Sequence, residues 1–518
     1  MTLTYEGAVK KVNDLQSNLL LLNRLRKNDP TVDEYNLPHM RYYMKRIGYD
    51  DKDFNDLNVI HVTGTKGKGS ICAMCQSILK HYPMKERSLR IGLFTTPHLK
   101  TMRERVRIDG IPISEEKFAK YSEEVWKRLE ETKDGRSGHD ETTQTGRPHL
   151  DYHPELLDKL THRQFFVLMA LHSFISEKVD VVILEINLGG EYDATNVVTQ
   201  PIACGIAAVG FDHMDELGST IDKIAWHKAG IIKHHVPVAT FEQVPKALEV
   251  IKRRAKEKEA TLHVMEASQT HLLDDVEIGL SGVYQKQNAL VAIELCRIWL
   301  EKCRHIKLAD AVPADFKEGL RRVQWPGRAQ TIEIAETTYA NRITQRLSLY
   351  MDCAHTIESL QACSDWYSSL VDPTALQVLI FNCLADRDGP TLLRCLSGLS
   401  FDFVVFSDNI TLYPGYVANI SINCWQMFNP EGCESTDNMY QLFTDEEVHE
   451  MQTKLVNCWR TLHPSFDESN IAVTSSTEEA VECLVDYANR HGRPVQVLTT
   501  GSLRLVGNLM VVLGIPIA

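Results

Sequence analysis

The stretch Val59-Ile-His-Val-Thr-Gly-Thr-Lys-Gly-Lys-Gly-Ser70 decides how the rest of the chain is read. Its first residues are apolar and β-branched, as a buried strand requires, and the spacing after Ser70 is that of a helix over 71–81. Gly64, Gly67 and Gly69 stand between them. Glycine accepts positive φ, so the backbone can turn tightly and come close to an oxyanion. Successive amides backed by a helix N-terminus then form a phosphate cradle. Lys68 is placed to reach β- and γ-phosphates, Thr65 shares the loop, and Ser70 opens the helix. Gly69 separates the lysine from the hydroxyl residue, a departure from the strict Walker spacing. A tight structural turn explains the glycines but not the two lysines packed among them.

Outward from this loop, strand-length apolar runs alternate with helical patterns over most of the chain, which points to layered α/β architecture. Candidate strands lie at 57–62, 90–94, 180–186 and 203–209, with a helix at 165–176. Each strand ends in residues suited to binding, where doubly wound sheets place their ligands. A second series, 347–352, 376–382, 401–406, 470–473 and 495–500, follows Trp325-Pro-Gly327. The expected division is a domain carrying the glycine-rich loop over 1–327, a linker over 328–346 and a C-terminal domain over 347–518. Two polar stretches, 132–159 and 408–438, are longer than usual connections and read as surface insertions or lids. His139, His149 and His153 in the first are too irregularly spaced for a metal site.

Composition narrows the class. At 518 residues the chain is expected to hold more than one domain, and 43% hydrophobic and 24% charged residues suit a globular protein. A formal net charge of −13 argues against nucleic-acid or anionic-membrane binding, so an anionic substrate needs a local basic site. No apolar run is long enough to span a bilayer, and the first residues resemble neither a secretory nor a transit signal. The expected location is cytoplasmic, with a mitochondrial pool from an alternative start left open. The thirteen cysteines are scattered and read as reduced core thiols, Cys72 and Cys75 included. The sequons at Asn409 and Asn419 are expected to be unused.

The loop spelling Gly-Thr-Lys-Gly-Lys-Gly-Ser resembles that of folylpolyglutamate synthases, within the Mur-ligase superfamily. Further blocks resemble that family in order: Phe94-Thr-Thr-Pro-His-Leu99, Arg103-Glu-Arg-Val-Arg-Ile-Asp-Gly110 and Leu184-Glu-Ile-Asn-Leu-Gly-Gly-Glu-Tyr-Asp-Ala-Thr-Asn196. Phe211-Asp-His-Met-Asp-Glu-Leu-Gly218, Ile224-Ala-Trp-His-Lys-Ala-Gly-Ile-Ile-Lys233 and Gln285-Lys-Gln-Asn288 come next. Trp325-Pro-Gly-Arg328, Asp352-Cys-Ala-His355, Asp386-Arg-Asp388 and Thr500-Gly-Ser-Leu503 complete the set.

The resemblance implies an α/β fold, with a P-loop-type Mur-ligase central ATPase domain followed by a smaller Rossmann-like domain. It implies an ATP-dependent ligase that adds L-glutamate to the γ-carboxylate of a folate through an acyl phosphate. Dihydrofolate synthase activity, or ligation to another carboxylic acid, is the alternative. ATP is then expected on Gly64, Thr65, Gly67, Lys68, Gly69, Ser70, Asn288, Arg328 and Asp352. Magnesium is expected at Thr96, Glu185 and His213, and a monovalent cation such as K+ is compatible. Lys68, Lys228 and His355 are the catalytic candidates, with Lys228 matching a lysine that some members carry as a carbamate. Arg105 and Ser502 are candidates for substrate binding, and a monomer is expected.

The residue types agree with such chemistry. Amide formation from a carboxylate needs a leaving group, and phosphoryl transfer needs positioning and charge neutralisation above all. Glu185 and Asp352 each end a very apolar run, where an unpaired carboxylate is costly unless it meets a cation or donors. Arg103, Arg105 and Arg107 alternate like one charged face of a strand. Departures from the family pattern fall at Asn187 and Cys353, where glycine is usual, and at Tyr284 and Arg504, where histidine is common. Asn187 is expected to preserve a left-handed turn, and Cys353 to strain one if positive φ is needed there.

Overall fold

The computed structural model describes residues 3–15, 18, 30–84, 87–133, 159–309, 311–384, 387–411 and 445–517. The two expected insertions lie largely outside these, as do His139, His149, His153, Asn419 and Asp386. The chain divides into two compact units. One holds Met1–Pro97, Met102–Gly279 and Val283–Val323, and the other His98–Thr101, Leu280–Gly282 and Gln324–Ala518.

The first unit is built on an eight-stranded sheet: β1 (Ile60–Thr63), β2 (Ile91–Phe94), β3 (Val106–Ile108), β4 (Ile111–Pro112), β5 (Val181–Glu185), β6 (Ala203–Ile206), β7 (Val238–Phe241) and β8 (Leu262–Met265). Their order is β4-β3-β2-β5-β1-β6-β7-β8. The six from β2 to β8 in that order are parallel, while β3 and β4 add an antiparallel edge. Every residue of β1, β2, β5, β6 and β7 is buried, so these strands read as continuous apolar runs rather than alternations. After β1 the chain turns to one side of the sheet, and from β6 it builds the other. The phosphate loop therefore leaves β1 at the topological switch point, where open α/β sheets bind ligands.

The second unit carries β9 (Gln330–Glu333), β10 (Leu347–Met351), β11 (Leu376–Phe381), β12 (Phe403–Ser407), β13 (Ile471–Thr474) and β14 (Val495–Thr500), in the order β13-β12-β11-β14-β10-β9. Alternate residues feed different cores. Leu347, Leu349 and Met351 join one, with Val378, Ile380 and Val405, whereas Tyr350 joins the other with Leu379, Phe381 and Val404. Both faces are thus dry. The stretch 328–346, expected as a linker, contains β9, which pairs antiparallel with β10 through Thr331 opposite Tyr350.

Strand ends shift from expectation by a few residues, and β4, β7, β8 and β9 were not anticipated, being strands of two or four residues with weak local signals. The basic run does not form one strand face. Met102–Arg105 is a 3-10 turn, only Arg107 of the three lies on β3, and Arg105 and Arg107 are buried. No helix among the described residues is long and apolar enough to cross a membrane. Cys72 and Cys75 are buried free thiols in the helix Lys68–His81, and burial pushes both thiols up, away from reactivity.

Candidate active site

Four neighbouring strands, β2, β5, β1 and β6, bring the first unit's candidates to one edge of its sheet. After β1 the backbone passes Gly64 at φ 147° and Gly67 at φ 85°, then enters the helix Lys68–His81. Side chains fit at neither glycine: a Cβ on Gly64 would stand 2.6 Å from Ala207 Cβ, and one on Gly67 2.4 Å from Asn288 Oδ1. The loop is tied down from β6, since Thr65 N donates to Ala208 O (2.8 Å) and Thr65 Oγ1 to Gly210 O (2.9 Å). No side chain caps the helix that follows, so its first amides remain available to an anion. Lys68 Nζ folds back onto Gly64 O (3.0 Å) and Thr65 O (3.4 Å), over the mouth of the loop. Behind it, Asn288 Nδ2 donates to Gln285 Oε1 (2.9 Å) and Gln285 Nε2 to Ser70 Oγ (3.3 Å). Ser70 and Asn288 are thereby joined through Gln285.

Glu185 ends β5 fully buried. Its Oε2 accepts from Thr95 Oγ1 and from Thr96 N (3.2 Å). Thr96 Oγ1 donates to Asn187 Oδ1 (3.1 Å) and lies 3.5 Å from Arg105 Nη1. Asn187 therefore works through its side chain, and its φ is not positive, contrary to the expected left-handed role. His213 does adopt that conformation (φ 50°), with its ring nitrogens 3.9 Å from Asp212 Oδ2 and from Glu216 Oε2. Burial lowers its pKa and keeps it neutral, with the two carboxylates opposing and the charges of Arg163 and Lys68 assisting. Lys228, at the end of the helix Ile221–Ala229, is buried, and its pKa falls to about 7 through burial first and the charge of Lys68 second.

These donors suit magnesium in kind: a hydroxyl, a carboxylate and a neutral imidazole, the last less usual for this ion. They are not a closed cage. Among the described residues, the grouping of three His, Cys, Asp or Glu with mutually close donor atoms is the exposed set His234, His235 and Glu259, remote in sequence from the phosphate loop. Magnesium commonly keeps several waters and leans on substrate phosphates, so an open half-site fits it.

Beside Thr96 lies a cavity that the sequence did not disclose, lined by Asn36, Phe94, Arg105, Arg163, Phe166 and Tyr192, among others. The Arg105 guanidinium stands 4.8 Å from the centre of the Phe166 ring. Burial first, then the neighbouring charge of Arg163, brings Arg105 down to about 10. The cavity's walls come from the stretches 33–36, 94–105, 161–167, 187–194 and 216–227, so no local motif could have announced it.

In the second unit the candidates gather where β10 and β14 end. Asp352 is buried and accepts from Ala329 N (2.7 Å); burial raises its pKa, with the charge of Arg328 opposing. Asp352 N donates to Thr499 O (3.1 Å) and Gly501 N to Ala354 O (3.0 Å), which sets the two loops side by side. His355 Nδ1 and Cys353 O are 2.7 Å apart. Ser502 caps the helix Leu503–Val512 by accepting from Arg504 N (3.2 Å). Cys353 has no positive φ, so the expected strain is absent. The left-handed positions of this loop region are instead Gly327 and Ala329. Tyr284 stands partly exposed at the start of the helix Gln285–Arg304, and Arg504 is buried.

Known proteins resemble this chain over nearly its whole length. It is 36% identical over 527 aligned residues to the folylpolyglutamate synthase of Saccharomyces cerevisiae strain ATCC 204508 / S288c, covering 98% of this chain and 87% of that protein. A Mycobacterium tuberculosis folylpolyglutamate synthase, solved with ADP and AMPPCP, superposes with a TM-score of 0.67 at 20% identity, over 97% of this chain and 99% of that one. The Thermotoga maritima folylpolyglutamate synthase gives 0.63 at 22% identity, over 92% and 93%. A complex of such a synthase with AMPPCP and folate gives 0.57 at 22% identity, over 91% and 94%. No family model matches the chain.

Proposed function

The chain belongs to the folylpolyglutamate synthase family, and we propose on that footing that it uses ATP to join L-glutamate to the γ-carboxylate of a reduced folate. The observation that carries this reading is the uncapped helix Lys68–His81 behind two left-handed glycines, with Lys68 over the loop and Glu185 ending a neighbouring strand. The ATP phosphates lie on the amides of Gly67, Lys68, Gly69 and Ser70. Lys68 exchanges its two carbonyl partners for β- and γ-phosphate oxygens. Thr96, Glu185 and His213 hold magnesium. When bound, that ion supplies positive charge against the phosphates, which phosphoryl transfer chiefly requires.

The folate γ-carboxylate attacks the γ-phosphorus, ADP departs, and an acyl phosphate is left. The glutamate nitrogen then attacks the acyl carbon, inorganic phosphate leaves with one former carboxylate oxygen, and the amine proton is released. Lys228 is prepared for a separate duty. An amine with a pKa near 7 is substantially neutral at physiological pH and can add CO2, losing a proton to become a carbamate anion. In the second unit Arg328 and Asp352 serve ATP, while His355 and Ser502 serve the incoming glutamate. The cavity beside Thr96 receives the acceptor, its aromatic walls suiting the flat pterin and benzoyl rings.

A substrate panel tests this reading. ADP should appear only when magnesium, a reduced folate and L-glutamate are present together, with the folate gaining whole glutamyl units by mass. Equal ADP release without folate contradicts it.

A further inference from the structure

An acceptor that ends in glutamate offers two carboxylates, and only the γ-carboxylate is to be activated. Something must fix the α-carboxylate so that the γ-carboxylate alone is placed to attack. Two arginines share the cavity beside Thr96, and they reach it from different parts of the fold. Arg105 closes the 3-10 turn before β3, is itself buried, and has Nη1 3.5 Å from Thr96 Oγ1. Arg163 opens the helix His162–Ser176, where Arg163, Phe166 and Val167 line the cavity at i, i+3 and i+4. The Phe166 ring carries the Arg105 guanidinium at 4.8 Å, and Phe166 stands one turn after Arg163 on the same helix. The positive end of that helix adds to the same field. Neighbouring His162 is buried and held neutral, by burial first and then by the charges of Arg105 and Arg163. Three acids, Asp33, Asp193 and Glu216, also line the cavity. Asp193 is committed to Leu188 N, Thr195 N and Thr195 Oγ1, and Glu216 faces His213. Asp33 makes itself felt at Tyr192 and His227. Arg105 puts a buried cation at the end of the cavity next to Thr96.

Resting on the folate reading above, we propose that Arg163, with Arg105, clamps the α-carboxylate of the acceptor's terminal glutamate and so leaves its γ-carboxylate as the group presented to ATP. Arg163 is then a specificity-determining residue. It makes the enzyme demand an acceptor that already carries glutamate over a bare pteroate, whose lone carboxylate has no second group to clamp. Two like charges in one small space repel, and a carboxylate between them relieves that repulsion. A planar guanidinium pair also matches carboxylate geometry better than amines do.

Steady-state kinetics on the full chain decides the matter. Tetrahydropteroylglutamate is compared with tetrahydropteroyl-4-aminobutyrate, which keeps the reacting carboxylate and lacks only the α-carboxylate. Arg163→Gln should raise KM for the glutamate acceptor on the order of 10- to 100-fold, the range for a lost charge-assisted hydrogen bond, with kcat nearly kept. Its KM for the aminobutyrate acceptor should stay within about threefold of wild type. Arg163→Lys keeps the charge and should recover part of the loss, which a purely structural role for Arg163 does not foresee. Equal KM increases for both acceptors, or none for either, overturn the clamp. A wild-type enzyme that glutamylates neither acceptor contradicts the folate reading itself, a result distinct from both.

Discussion

Two loops in this chain leave a parallel strand and enter a helix, one after β1 and one after β10, and they finish the helix in opposite ways. After β1 the turn is made by Gly64 and Gly67 in left-handed conformations, and the helix Lys68–His81 has no side-chain cap. After β10 the residues from Asp352 to His355 have no left-handed φ, and the helix Ile357–Ser368 is closed by a capping box between Thr356 and Ser359. The first helix keeps its amides for an external anion, whereas the second satisfies them from its own sequence. The same strand–loop–helix unit thus leaves its first helical amides open when glycine replaces the cap, as the proposed phosphate cradle needs. It yields a rigid platform for Asp352 and His355 when the cap is supplied.

The sharpest way to break that contrast lies at the open loop and its neighbour Glu185. Lys68→Met and Glu185→Gln should each lower turnover on the order of 100- to 1000-fold while melting near the wild-type temperature. Glu185→Gln should also need much more magnesium, because it keeps a hydrogen-bond acceptor but loses the charge. Loss of stability with unchanged specific activity in the folded fraction would make Glu185 merely a satisfied polar residue.

Gly67→Ala comes next. The added Cβ meets both a φ of 85° and Asn288 Oδ1 at 2.4 Å, so a cost of about 1–2 kcal/mol is expected, with weakened nucleotide binding by calorimetry. Cys353→Gly is the matching control in the second loop. With no left-handed φ to relieve, it should gain nothing and lose a little buried packing, and a stabilised variant would refute the contrast.

Lys228 provides a pH test. Its folded pKa of about 7 lies below the ordinary 10.5, so between those values the unfolded chain holds more protons. This group's contribution to stability therefore rises with pH across that window, and Lys228→Met should flatten the rise. The neutral amine falls roughly tenfold per pH unit well below pH 7, so a carbamate signal from labelled CO2 should fade there. No carbamate at pH 8 would remove that role from Lys228.

The smallest effect belongs to the closed helix. Thr356→Ala should cost about 1 kcal/mol of stability by denaturant titration, with turnover little changed.

How much of this was legible follows from how local each signal is. The phosphate loop declares itself because strand, glycines, lysine and helix start are contiguous. Glu185 and Asp352 are legible as carboxylates ending apolar runs. Asn187 and Cys353 were misread because a family glycine suggested positive φ, while the actual backbone is ordinary at both. The partner that gives Asn187 its purpose, Thr96, stands 91 residues earlier. Arg103, Arg105 and Arg107 read as one charged strand face, with Arg105 a candidate for substrate binding. The 3-10 turn rotates Arg105 into a cavity instead, against Phe166 from another helix. The cavity itself is assembled from tertiary neighbours and leaves no periodic trace.

Activation of the acceptor by ATP is decided by which oxygen reaches phosphate. Tetrahydrofolate carrying 18O in its γ-carboxylate is incubated with ATP, magnesium, L-glutamate and the enzyme, and the inorganic phosphate is analysed by mass spectrometry. One 18O atom should enter phosphate for the first glutamate joined to each labelled folate, because the carboxylate oxygen attacks the γ-phosphorus and leaves with it, whereas later additions activate unlabelled glutamate carboxylates. Unlabelled phosphate accompanying glutamylated folate would contradict activation of that carboxylate by ATP.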